Sequence, residues 1–353
     1  MRASVRLYRC SDETWDAAQV VAAAEFLGLA LPLRERIAAG LAASTYADEE
    51  GYAAGSDHLQ DALDAFRYGH DLLTEEETER WLDTWGVDLD DLTGFLDRRH
   101  WGERFRDIGA QLARDYAPAA QDVDRALWPE AVFDGAAREW AVACARRSAA
   151  LRSCGGALPD AEAREAACGA FFTRTGRSPR TLSAWLRELG KDQAWFDLMV
   201  AREACARRVR DEALAGADLE RELASRRMDF LRVTFERAAF PSAEAAREAM
   251  LCVTEDRESL ADAARRAGVA AAGGTEFLGD IADPASRRLL SAVPGEVLGP
   301  LESEEGWELW KIVRKAEPDA RDGAVRDRLE RLVENAAFER LVGAHIAWLV
   351  EMG

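Results

Sequence analysis

The chain has 353 residues, a length that predicts two or three domains. Hydrophobic residues make up 48% and charged residues 31%, which excludes a disordered chain, and the formal net charge of −19 opposes a phosphate backbone, so nucleic acid is not an expected partner. No apolar run approaches the ~20 residues a membrane helix needs, and the first residues, MRASVRLYRCSDETWD, place Asp12, Glu13 and Asp16 where a secretory signal would be apolar; no membrane partner and a cytoplasmic location are expected.

Residues 1–118 read as an N-terminal helical domain. Asp16 to Leu29 and Leu33 to Ala43 are rich in Ala and Leu, and a break follows at 53–56. Leu59, Leu63, Phe66 and His70 then recur at helical spacing. Thr74-Glu75-Glu76-Glu77 predicts a capping box, with the Thr oxygen accepting an early amide while Glu77 reaches back. That helix stops near Gly86, and another starts after Asp88 with Leu92, Phe95 and Leu96 on one face. Asp88, Asp90 and Asp91 hint at a calcium loop, but Leu92 and Gly94 break its pattern and leave an acidic helix start.

Ninety positions later the same grammar returns. Trp81-Leu82, Gly86, Leu92 and Phe95-Leu96 correspond to Phe171-Phe172, Gly176, Leu182 and Trp185-Leu186. Either a helical unit is duplicated, or two helix–turn–helix segments share common signals.

Residues 119–218 read as a second helical domain: Ala137 to Leu151, closed by Cys154-Gly155-Gly156; Asp160 to Thr173, ended by Gly176 and Pro179; Thr181 to Leu189; and Gln193 to Leu214. The six cysteines, Cys10, Cys144, Cys154, Cys168, Cys205 and Cys252, show no CxxC spacing, so no metal or cofactor is expected from them.

Residues 227–317 change pattern. Asp229 to Phe235 alternates apolar and polar residues like a strand. Helices are predicted over Ser242 to Met250, Leu260 to Ala267 and Pro284 to Ala292, a turn at Gly273-Gly274, a short extended piece at 276–278, and strands over Leu298 to Leu301 and Trp307 to Arg314 joined by 302–306. The order β-α-α-β-α-β-β describes a small α+β domain. Residues 319–353 predict one long helix, Ala320 to Met352, whose broad stripe includes Val325, Leu329, Phe338, Ile346 and Leu349 and calls for burial on the helical part. The expected fold class is therefore mainly α, with one small α+β domain and a long C-terminal helix packing back on the helical region.

Residues 229–317 resemble the parvulin-type, PpiC-like peptidyl-prolyl isomerase domain. The resemblance rests on Arg232-Val-Thr-Phe, Ser242-Ala-Glu-Ala-Ala, Gly273-Gly274, Phe277-Leu-Gly279 and, above all, Pro294-Gly-Glu-Val-Leu-Gly-Pro300 with Gly306-Trp-Glu-Leu-Trp-Lys-Ile-Val313. Residues 119–218 look like the helical domain of SurA-type chaperones. The whole resembles a PpiC-related group of peptide-maturation proteins, associated with modification of ribosomally made natural-product peptides. A precursor or leader peptide, and a peptide-modifying enzyme, are the partners this resemblance implies.

Parvulin-type sites resemble one another in two facing histidines. The four histidines here are His58, His70, His100 and His345, so none lies in the module. Glu308 stands where the second would be, and the first falls near Val233 or Thr234. A buried Glu308 needs a partner, for which Lys311 and Arg314 are candidates. The expectation is a degenerate parvulin-like module that binds peptide without efficient prolyl isomerisation, with no catalytic residue assigned. Candidate peptide-binding or core residues are Phe235, Phe277, Leu289, Trp307, Glu308 and Trp310; Trp307 and Trp310 differ by an odd number and so face opposite sides of a strand. Two other readings stay open: an enzyme that modifies or cyclises a peptide, with Glu308, Lys311, Cys252 and Asp280 first to test, and a general cytoplasmic holdase.

Overall fold

The computed structural model describes residues 5–53, 56–155, 159–281, 285–303 and 306–351. The predicted loop residues 54–55, Gly156, Pro284, 304–305 and Met352, and the side chain of His58, lie outside the described residues. The chain divides into two compact units, Met1–Glu212 with Ala336–Gly353, and Ala213–Asn335.

The first unit opens with a hairpin, β1 (Arg6–Cys10) and β2 (Glu13–Asp16). Helices follow: α1 (Ala17–Phe26), α2 (Leu31–Glu49), α3 (Ser56–Gly69), α4 (Glu75–Trp85), α5 (Leu89–Arg104), α6 (Gly109–Asp115), α7 (Ala120–Phe133), α8 (Ala136–Ser153), α9 (Ala161–Thr175), α10 (Pro179–Glu188) and α11 (Gln193–Ala215). One core runs from Leu7 to Ala204 and draws on both sides of the 118–119 division expected from sequence. Its aromatic centre stacks Phe26 on Phe171 at 5.0 Å, with Phe196 set edge-on to both. Thr74 and Glu77 form the predicted capping box of α4, and the amides of Leu73 and Thr74 hold the Glu77 carboxyl below its usual range.

The ninety-residue echo is visible as geometry. Gly86 closes α4 and Gly176 closes α9, both left-handed, at φ 66° and 65°. Asp88 caps α5 and Ser178 caps α10, each two residues after the glycine. Asp88 therefore starts a helix, as the acidic-start reading expects.

The second unit contains α12 (Leu219–Ser225), β3 (Arg232–Phe240), α13 (Ala243–Thr254), α14 (Leu260–Arg266), β4 (Ala271–Phe277), α15 (Ala285–Ser291), β5 (Val297–Ser303) and β6 (Gly306–Ala316). From β3 onward this is the β-α-α-β-α-β-β order read from sequence. The strands form one antiparallel sheet in the order β4-β3-β6-β5. One face packs on α13 and α14 through Ala238, Phe240 and Leu309; the other packs on Leu278, Ile281, Ala285, Leu289 and Ala292 through Val233, Phe235, Trp310 and Ile312.

Two expectations are corrected. Gly273-Gly274 is not a turn but the middle of β4, opposite Glu236 and Phe235. The Phe235 ring covers Gly274 so closely that an added Cβ would sit 3.0 Å from it, and strand continuity follows from that cover. The C-terminal helix α16 runs from Gly323 to His345 and then gives way to a strand, β7 (Ile346–Trp348), paired antiparallel with β1. Trp348 meets Tyr8 edge-on at 5.4 Å, a contact that a continued helix would not make. Val325 and Leu329 of α16 join a small core with Leu223 and Phe230 in the second unit, while Phe338 packs with Ala150, Cys205 and Ala206 in the first. The fold is mainly α with one small α+β part, and the later half of α16 returns to the helical unit.

Candidate functional site

The region around Glu308 is built by cross-strand register. On β6, Glu308 lies opposite Ala239 of β3 and Leu301 of β5; two residues on, Trp310 lies opposite Arg237 and Leu298. Alternation along the strands brings Phe235, Arg237, Glu308 and Trp310 to one face. Gly299 of the PGEVLGP segment and Gly306 of the GW segment fix this register. A Cβ on Gly299 (φ +133°) would lie 2.6 Å from the Glu308 carbonyl oxygen, and one on Gly306 (φ +118°) 2.5 Å from that of Phe240. No other residue type allows so close an approach.

Glu308 is 8% exposed and its carboxylate is engaged on both sides. Trp310 Nε1 donates to Oε2 at 2.7 Å, and Arg237 Nη1 lies 3.7 Å from Oε1. The Arg237 guanidinium also rests 5.6 Å from the Trp310 ring centroid, and Trp310 tilts against Phe235 at 4.4 Å. The charge that meets Glu308 is thus Arg237, not Lys311 or Arg314; Lys311 steps to the opposite face, across from Glu236. Arg237 was not foreseen. Its signal was its position two residues after Phe235, which puts both on one face.

The six candidates do not form one site. Phe235, Leu289 and Trp310 share a single buried core beside Glu308. Phe277 lies elsewhere, 5.9 Å from Phe230 and under the Arg328 and Arg232 guanidinium groups. Trp307 is on the other face with Leu309 and Phe240. Trp307 and Trp310 do face opposite sides of β6. Val233, near the expected first histidine position, is fully buried, while the Thr234 hydroxyl meets that of Thr275 at 3.0 Å. Nor are Glu308, Lys311, Cys252 and Asp280 gathered: Cys252 packs against the opposite core and Asp280 pairs with Arg328.

What this face offers solvent is side-chain-poor. Ala272 lies opposite Arg237, and Gly274 opposite Phe235. β4 is an edge strand that pairs with β3 and with no further strand among the described residues. Ala272, Gly273, Thr275 and Glu276 are exposed. Unpaired backbone groups on such an edge accept another extended chain.

No protein-family model matches this chain, and no curated protein matches it by sequence. Solved structures similar to it include the peptidylprolyl isomerase PrsA of Bacillus anthracis, at 12% identity over 56% of this chain and 92% of that one, with a TM-score of 0.34. PrsA of Bacillus cereus is 10% identical over 65% and 89%, with a TM-score of 0.39. A third is among the structurally related SurA-like chaperones PEB4 and Cj1289 of Campylobacter jejuni, 12% identical over 66% and 96%, with a TM-score of 0.22.

Proposed function

We propose that this protein is a chaperone-like peptide-binding factor that takes an extended peptide along β4 as an added strand. The observation that carries the reading is the edge itself. Ala271-Ala272-Gly273-Gly274 has no lysine, proline or bulky side chain to block a fifth strand. Beside it, Arg237 is 45% exposed on its side chain and stands over Trp310, ready for peptide carbonyls or an acidic side chain. Glu308, held by Trp310 and Arg237, is a fixed acceptor rather than a free acid or base. Binding without prolyl rotation fits that arrangement. The resemblance of the PGEVLGP and GWELWKIV segments supports a finer reading, in which the peptide is a ribosomally made precursor or its leader, held for a modifying enzyme.

The test is calorimetric titration with a panel of extended peptides, with and without Xaa-Pro, alongside a prolyl-isomerisation assay. Binding without turnover is expected, and N-methylation of alternate peptide amides should remove it by deleting ladder donors. Equal binding of N-methylated peptides would sink strand addition, and robust turnover would sink the non-catalytic reading. Equal suppression of aggregation for unrelated proteins would favour a general holdase over a dedicated maturation factor.

A further inference from the structure

The helical unit contains a cavity of about 680 Å³, within the range of small-ligand sites. Ala18, Val21 and Ala22 of α1 form a small-residue floor, and Leu127 and Trp128 of α7 give an apolar wall. Trp128 is fixed there by donating its Nε1 to the Trp85 carbonyl at 3.0 Å. Arg34, also at the wall, is already matched: it pairs with buried Glu25 and, at 2.6 Å, with Asp124.

Arg177 is different. It sits between Gly176 and the cap Ser178, with its guanidinium 4.9 Å from the Trp185 ring centroid. No carboxylate pairs with it among the described residues. Arg177 Nε and Trp185 Nε1 are both buried without an acceptor, and both residues line the cavity. Glu188 shares the lining but is exposed and therefore screened. The internal echo sharpens the contrast. Ninety residues earlier the matching positions are Val87 and Phe95, both buried in the apolar core. The copy that faces the cavity thus carries two N–H-bearing side chains where its counterpart carries none.

We propose that this cavity binds an apolar body bearing a carboxylate, with Arg177 receiving the carboxylate and the α1–α7 walls the apolar part. An unpaired guanidinium stacked on an indole is pre-set for a planar carboxylate, and its flat fork matches two oxygens. A small fatty or aromatic acid and the C-terminal residue of an apolar peptide share this chemistry. The site is independent of the β4 edge, so either proposal can fail alone.

The experiment is calorimetry on the full chain with four probes: decanoate, decanamide, and acetyl-Leu-Leu-Leu with a free or an amidated C-terminus. At least one acid should bind about tenfold or more tightly than its amide. R177Q should erase that preference, and A18W, placed at an exposed floor position, should block binding while the circular-dichroism melt stays as in the wild type. Preference for decanoate alone identifies a small acid as the source; preference for the free-acid peptide alone identifies a chain end. Equal affinity for acid and amide, an unchanged profile in R177Q, or no binding of any probe at millimolar concentration would overturn the proposal.

Discussion

Replacing Glu308 separates two roles that its carboxylate combines. The Glu308→Gln variant keeps an oxygen acceptor for Trp310 Nε1 but loses the charge facing Arg237. That ion pair is 3.7 Å long and its arginine is 45% exposed, so solvent screens it to within ~1 kcal/mol. The hydrogen bond, no longer charge-assisted, weakens by a similar amount. The total expected cost is about 1–2 kcal/mol. Glu308→Ala removes the acceptor altogether. Trp310 is 3% exposed, so its N–H is left without water or protein, a loss of about 1–3 kcal/mol on top of the lost packing. The expected cost is about 2–4 kcal/mol. Amide hydrogen exchange along β3 and β6 reads the local opening free energy, and urea denaturation gives the global value. Equal losses for the two variants would show that charge, not the tryptophan hydrogen bond, dominates, and would refute the reasoning.

Three other outcomes follow from the packing. Burial pushes the Glu203 carboxyl up, but Arg147, Arg174 and Arg207 together outweigh it and hold it below its ordinary 4.5. A lowered folded-state value contributes stability above pH 4.5 that is lost as pH falls through the lowered value, so Glu203→Gln should cost about 2–4 kcal/mol at pH 7 and progressively less below 4.5 in thermal melts. Gly299→Ala should destabilise the sheet by more than about 2 kcal/mol, since both its positive φ and the 2.6 Å approach to the Glu308 carbonyl exclude a Cβ; a urea midpoint equal to wild type would contradict this. Trp348→Ala should cost about 2 kcal/mol by removing a half-buried ring from Tyr8, and an unchanged melt would deny β7 a structural part.

The second unit was legible because its signals are local. Ser242 caps α13 and Ser259 caps α14, and the strands alternate within short windows. The small three-stranded sheet of the first unit was not legible. Ile346-Ala347-Trp348 continues the apolar stripe of α16, so local pattern favours more helix, while the partner that makes it a strand, Tyr8 with its neighbours, lies some 340 residues away in sequence. Gly273-Gly274 misled for the opposite reason. Two adjacent glycines signal a turn locally, but here they admit the Phe235 ring from the neighbouring strand. The candidate site was half legible: alternation separated Trp307 from Trp310, yet only the β3–β6 register discloses that Arg237 meets Glu308.

The chain places an arginine over a tryptophan ring in both units, and the difference between the two cases is instructive. Arg237 lies 5.6 Å from the Trp310 centroid, and Glu308 completes the group by facing the guanidinium and accepting from the indole. Arg177 lies 4.9 Å from the Trp185 centroid, and there no carboxylate among the described residues completes it. In a protein with 65 acidic residues against 46 basic ones, an arginine beside a cavity without an acidic partner is not explained by scarcity of acids. Stacking on the indole orients the guanidinium but does not neutralise it, and Glu188, though it also lines the cavity, forms no ion pair with it among the described residues, so the Arg177 fork stays open to an anion from outside. Glu308 is the weaker candidate for chemistry. Its carboxylate already accepts from a buried indole N–H and faces a guanidinium, so protonating it would weaken both interactions, whereas Arg177 has no carboxylate among the described residues to give up when one enters from outside.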